Sequence, residues 1–185
     1  MAAVALSGCQ IAVTTSNPTD DGVLLNPTPW PNGTVGQYGL RIDPTLLAIL
    51  PAEVGGNPIV EAADLELIDL DNSDLAASFD GIAEGRIGDI SAANWLRVSV
   101  GRPSSAGQAA DFYSSWRDQY DQSACSQADG VASVDQPLIA DRPVDVATCK
   151  GGVVAYTVQL PSGLIVSAED LGPRRLGNQL MAALQ

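Results

Sequence analysis

Apolar and polar positions alternate along this chain in blocks of two different periods. Trp95-Leu96-Arg97-Val98-Ser99-Val100 alternates at every second residue, which predicts a strand covered on one face. Beyond Pro103-Ser104-Ser105 the period lengthens: Ala109, Phe112, Tyr113, Trp116 and Tyr120 fall at three- and four-residue spacing. Gln108, Asp111, Ser115, Asp118 and Gln122 occupy the opposite side, so the pattern predicts an amphipathic helix with an aromatic stripe. Such a stripe more often packs into a core than forms a ligand platform.

The same reasoning predicts the flanking elements. Asp43-Pro44-Thr45 starts a short helix through Leu46, Leu47, Ile49 and Leu50, stopped by Pro51 and Gly55-Gly56. Residues 58–68 alternate irregularly, as one or two strands would. Asn72-Ser73-Asp74 supplies a cap for a helix carrying Leu75, Ala76, Phe79, Ile82 and Ala83, ended by Gly85. Strands are expected at 137–140, 144–149, 153–160 and 164–168, the last two joined by the turn Leu160-Pro161-Ser162-Gly163. A final helix from about Pro173 buries Leu176, Leu180, Met181 and Leu184. Consecutive strands with two long helices imply an α+β fold, an antiparallel sheet packed by two or three helices.

Length and composition fit one such domain. The 185 residues are 45% hydrophobic and 17% charged, enough apolar content to build a core. Twenty-two acids against nine scattered basic residues give a net charge of −13, which excludes a phosphate-binding surface and with it nucleic acid as a partner. No run approaches the ~18 apolar residues of a membrane-spanning helix. From Gln10 to Gly36 the chain is rich in Pro, Asn and Gly, as in Asn26-Pro27-Thr28-Pro29-Trp30-Pro31-Asn32-Gly33, and reads as a flexible tether. Asn32-Gly33-Thr34 fits a glycosylation pattern and is read here as an unmodified turn. The folded domain is accordingly expected over 37–185.

The amino-terminal decapeptide MAAVALSGCQ places Leu6-Ser7-Gly8-Cys9 after a short apolar stretch. This resembles the lipobox of bacterial lipoproteins, and residues 1–9 read as the remnant of a signal segment. The resemblance implies cleavage before Cys9, lipidation of its sulfur, and attachment to the extracytoplasmic face of a cell membrane. Leu50-Pro51-Ala52-Glu53-Val54-Gly55-Gly56 also resembles a segment of uncharacterised lipoprotein-like proteins of Gram-positive bacteria, with no activity implied.

Cys125 and Cys149 remain. In an exported protein two such cysteines usually pair, here as one disulfide stapling the domain. The rival is a metal site, which with no histidine in the chain needs two added carboxylates.

The absence of histidine removes Ser-His-Asp, Cys-His and His-metal chemistry. A Ser-Lys dyad would need Lys150, which sits in a turn sequence beside Cys149. Carboxylate pairs are the remaining catalytic route, with Asp111, Asp118 and Asp121 or the acidic loop as candidates. The densest acidic run holds Asp69, Asp71 and Asp74, with Asp80 at its twelfth position, a weak match to a calcium loop that lacks the required Gly. Helix capping explains the same acids. No catalytic residue and no cofactor is assigned. The expected role is a noncatalytic, lipid-anchored binding or accessory domain of the cell envelope, taking an envelope protein or small ligand. The alternatives are an envelope hydrolase with paired carboxylates and a calcium-stabilised structural module.

Overall fold

A computed structural model describes residues 33–89, 92–105 and 111–184. Cys9 and the tether as far as Asn32 therefore lie outside the described residues, as do Gln108 and Ala109. The chain runs through β1 (Arg41–Ile42), a 3₁₀ helix (Pro44–Ile49), the hairpin β2 (Glu53–Val54) and β3 (Asn57–Pro58), and β4 (Val60–Glu61). Then follow α1 (Ala63–Leu70), α2 (Ser73–Ser78), β5 (Phe79–Ile87), β6 (Trp95–Pro103) and α3 (Phe112–Ser126). After β7 (Val131–Asp135) comes the small hairpin β8 (Leu138–Ile139) and β9 (Arg142–Pro143). The chain closes with β10 (Asp145–Cys149), β11 (Val154–Gln159), β12 (Ile165–Leu171) and α4 (Leu176–Ala183).

One sheet organises the molecule, in the order β1-β5-β6-β12-β11-β10-β7, with β4 beside β1 on the outer edge of β5. All its pairings are antiparallel except β1 with β5, so the expected α+β fold is present and its sheet is mixed at one edge. No helix among the described residues is long and apolar enough to cross a membrane.

Period-two alternation gives the sheet two unlike faces. Leu96, Val98 and Val100 of β6, Val166 and Ala168 of β12, and Val154, Tyr156 and Val158 of β11 face one way. They form the main apolar core with Leu176, Leu180, Met181 and Leu184 of the C-terminal helix and Leu46 and Leu50 of the 3₁₀ segment. Gly177 permits this approach, since a Cβ there would enter the Tyr156 ring. On the opposite face α1, α2 and α3 cover the sheet over a smaller cluster containing Leu40, Ile42, Leu70, Phe79, Ile82 and Ile165. Cys125 and Cys149, both buried, form a disulfide that ties the end of α3 to the end of β10.

Caps behave as the sequence leads one to expect. The Asp43 carboxylate accepts from the Thr45 backbone N–H, and the Asn72 side chain accepts from those of Asp74 and Leu75. The helix begun at Asn72 nevertheless stops at Ser78, and Phe79, Ile82, Ala83 and Gly85 belong to β5. Ile82 packs on one sheet face and Ala83 on the other; a strand buried on both faces has no polar alternation to separate it from a helix. The strands expected over 58–68 shrink to β3 and β4, and 63–70 is helical. Its buried stripe is Ala63, Glu66 and Leu70, so the acid at the centre hides the helical period. Strand β6 extends through Pro103, and α3 spans Phe112–Ser126.

At the amino-terminal side, Gly33, Thr34 and Gly36 exchange backbone hydrogen bonds with Leu40 and Ile42. The folded part thus already includes the last residues of the segment read as a tether.

Candidate functional site

The helix-covered face of the sheet is not filled. Between α1 and α2 on one side and α3 on the other lies a cavity of about 640 Å³, within the range of small-molecule sites. Its floor is a grid set by strand register. Ser167 on β12 stands opposite Ser99 on β6, which stands opposite Glu84 on β5; in the adjacent row Glu169 faces Arg97. Trp95 lies one row further along, opposite Leu171.

The grid is polar where a two-layer core would be apolar. The Arg97 guanidinium is shared by three carboxylates from three elements: Glu84 at 3.4 Å, Asp69 of α1 at 3.4 Å and Glu169 at 3.8 Å. The Ser99 hydroxyl donates to Glu84 at 2.5 Å. The carboxylate of Glu66, buried on α1, accepts from the Glu84 backbone N–H at 3.1 Å. Glu84 is 2% exposed, and burial pushes its carboxyl up to about 8, opposed by Arg97 and reinforced by the negative charge of Asp69. Burial raises Asp69 as well, and a hydrogen bond from the Glu84 carboxyl acts against that rise. Glu169 shifts in the same direction for the same cause. Burial thus favours the neutral form of the Glu84 carboxyl, with Asp69 as its hydrogen-bonded neighbour.

Aromatic rings make the walls. Trp116 stands edge-on to Phe79 at 4.6 Å and lies 6.1 Å from Tyr120, while its indole N–H donates to Ser167 at 3.1 Å. Trp95 also lines the cavity; its ring is buried, and among the described residues its indole N–H has no hydrogen-bond partner. The aromatic helix therefore packs only partly as core, and Trp116 and Tyr120 border open space.

A second polar cluster under α3 serves to hold that wall. Asp145 accepts from the Tyr113 hydroxyl at 2.6 Å, from Arg117 at 3.2 Å and from Gln136 at 3.0 Å. Asp121 is buried beside it, and burial pushes its carboxyl up to about 6.

The acids singled out from sequence are distributed differently. Asp111 and Asp118 are exposed on α3, and they and Asp121 lie outside the cavity lining. Asp69 faces Arg97, Asp71 accepts from the Gln37 backbone N–H, Asp74 sits in the first turn of α2, and Asp80 is exposed on β5. The four calcium candidates do not converge, and no group of three or more acidic or cysteine side chains among the described residues is placed to hold a metal ion. Lys150 is exposed in the turn after Cys149. Cys9 lies outside the described residues.

Sequence reasoning missed Glu84, Arg97, Glu169 and Trp95 as a group. Arg97 and Ser99 occupy the polar positions of an alternating strand and were expected on a solvated face; the helix layer turns that face into an interior. No family model, no curated protein and no solved structure matches the chain.

Proposed function

We propose that this chain is a noncatalytic binding domain that holds a small polar ligand between α3 and the sheet, as a lipid-anchored accessory protein on the extracytoplasmic side of a bacterial membrane. The observation that carries the binding role is the cavity itself: a sheet face furnished with charged, hydroxyl and indole groups beneath aromatic walls, instead of a packed apolar layer. The address draws on the lipobox resemblance around Cys9, and a Cys125–Cys149 disulfide suits an oxidising compartment.

The paired-carboxylate alternative finds some support in the Asp69–Glu84 pair. Acid–base catalysis, however, works best when two carboxyls are driven apart in pKa, one kept protonated and one ionised. Here Asp69, Glu84 and Glu169 all shift upward, and the Glu84 oxygens are engaged by Ser99 and Arg97.

Two experiments test the proposal. Ligand-observed NMR against a collection of small polar compounds is run on the protein and on Gln119→Trp, which adds bulk from an exposed cavity-lining position. Binding abolished by that variant is expected; binding indifferent to it would place the ligand elsewhere. Intact mass of the chain expressed with its upstream sequence in a bacterial host reads the address: a species beginning at Cys9 with added acyl mass is expected, and an unprocessed chain would overturn the anchor.

A further inference from the structure

Resting on the cavity as the binding site, we propose that its ligand is an amino sugar, a pyranose carrying a free protonated amine. Two independent features of the cavity converge on that chemistry. Arg97 is the only cationic side chain among its described lining residues, against Asp69, Asp74, Glu84 and Glu169. Even with Glu84 counted as neutral, three carboxylates stand against one guanidinium, so the lining carries more negative charge than its own cation offsets. A ligand bearing positive charge completes the balance, and an anionic one is repelled.

The second feature is the aromatic wall of Trp116 and Tyr120, whose ring surface borders the cavity and suits the C–H edge of a pyranose or an ammonium. A plain polyamine brings no ring face to that wall, and a neutral sugar leaves the carboxylates uncompensated.

Calorimetric titration of the protein with glucosamine, N-acetylglucosamine, glucose and glucuronic acid decides the matter. Glucosamine is expected to bind at least about tenfold tighter than the other three. Asp69→Asn and Glu169→Gln should each erode that preference; melting curves establish that the variants are folded. Equal affinity for glucosamine and glucose, or preference for glucuronic acid, overturns the amine while leaving a binding cavity in place. Tight glucosamine binding that persists in Gln119→Trp overturns the site as well. If none of the four binds, the amino-sugar assignment falls, and the cavity reading is judged by the wider compound screen.

Discussion

The Ser99 hydroxyl reaches across from β6 to donate to the Glu84 carboxyl at 2.5 Å, at the point where β5 and β6 bring the two residues into register. That contact sits within a group of ionisable side chains drawn from every surrounding layer. Glu66 and Asp69 approach from α1, Arg97 from β6, Glu169 from β12 and Tyr120 from α3.

Stability should therefore fall as the solution becomes alkaline. Glu84 is pushed up to about 8 and Glu66 up to about 7, both mainly by burial. In the unfolded chain both return to the ordinary Glu value near 4.3. The folded state thus binds more protons than the unfolded state between those values. The stabilisation is fully present below the unfolded value and is lost as pH rises through the folded ones. Melting temperature is expected to drop by roughly 5–10 °C between pH ~5 and pH ~8. Glu84→Gln, neutral throughout, should melt higher than wild type at the alkaline end and flatten the slope, with the remainder due to Glu66, Asp121 and the other carboxyls that burial raises. A melting temperature independent of pH would contradict the buried carboxyl cluster.

Reduction of the disulfide gives a second expectation. Cys125 and Cys149 are 24 residues apart, and closing a loop of that size stabilises by roughly 3.5 kcal/mol in the chain-entropy model. Urea unfolding with and without reductant should show a loss of that order. Because the bond anchors the last turn of α3, which lines the cavity through Ser123 and Ala124, ligand affinity should weaken together with stability. Identical curves would mean that the two thiols are not bonded in solution.

How far the sequence revealed this arrangement depended on whether a residue's neighbours are local. The caps at Asp43 and Asn72, the Leu160–Gly163 turn and the helix from Leu176 rest on contacts within a few residues, and each was legible. Strands β6, β10, β11 and β12 were legible from their apolar alternation, whereas other elements fixed by distant partners were not. Phe79 to Ala83 became a strand because β1, β4 and β6 pair with β5, and nothing within the segment signals those partners. The exposed edge strand β7 offers only Val131 and Val134 as apolar markers. At the site, Glu84 was concealed inside an apparent helix and Arg97 on an apparent solvent face. Glu169 lay one residue beyond the expected end of its strand at Ala168.

Calcium should leave the protein unmoved. Asp71 is engaged with the Gln37 backbone, Asp69 is committed to Arg97, and Asp80 is exposed on β5 away from the turn that holds Asp71 and Asp74. Converging oxygens from one loop are what the ion needs. Melting curves with calcium or with a chelator should superimpose; a rise of several degrees on adding calcium would restore the acidic run as a binding loop.

Gly101 offers a way to close the cavity from below without altering its charges. It stands opposite Ile165 and Ile82, and a Cβ built there enters the Phe79 ring. Phe79 in turn packs edge-on against Trp116, so the space taken by a new side chain has to be recovered by moving the ring toward the open side. Gly101→Val should cost about 1–3 kcal/mol, the usual range for overpacking a close contact. It should also reposition Trp116 and weaken its hydrogen bond to Ser167. The indole reports this directly, through a red shift in fluorescence and a change in the Trp116 N–H resonance. If the cavity is the ligand site, affinity drops by more than in a variant of equal stability loss placed in the opposite core, such as Leu180→Ala. Equal effects of the two variants on binding would mean that Phe79 and Trp116 contribute only to folding, and that the ligand, if any, binds away from this face.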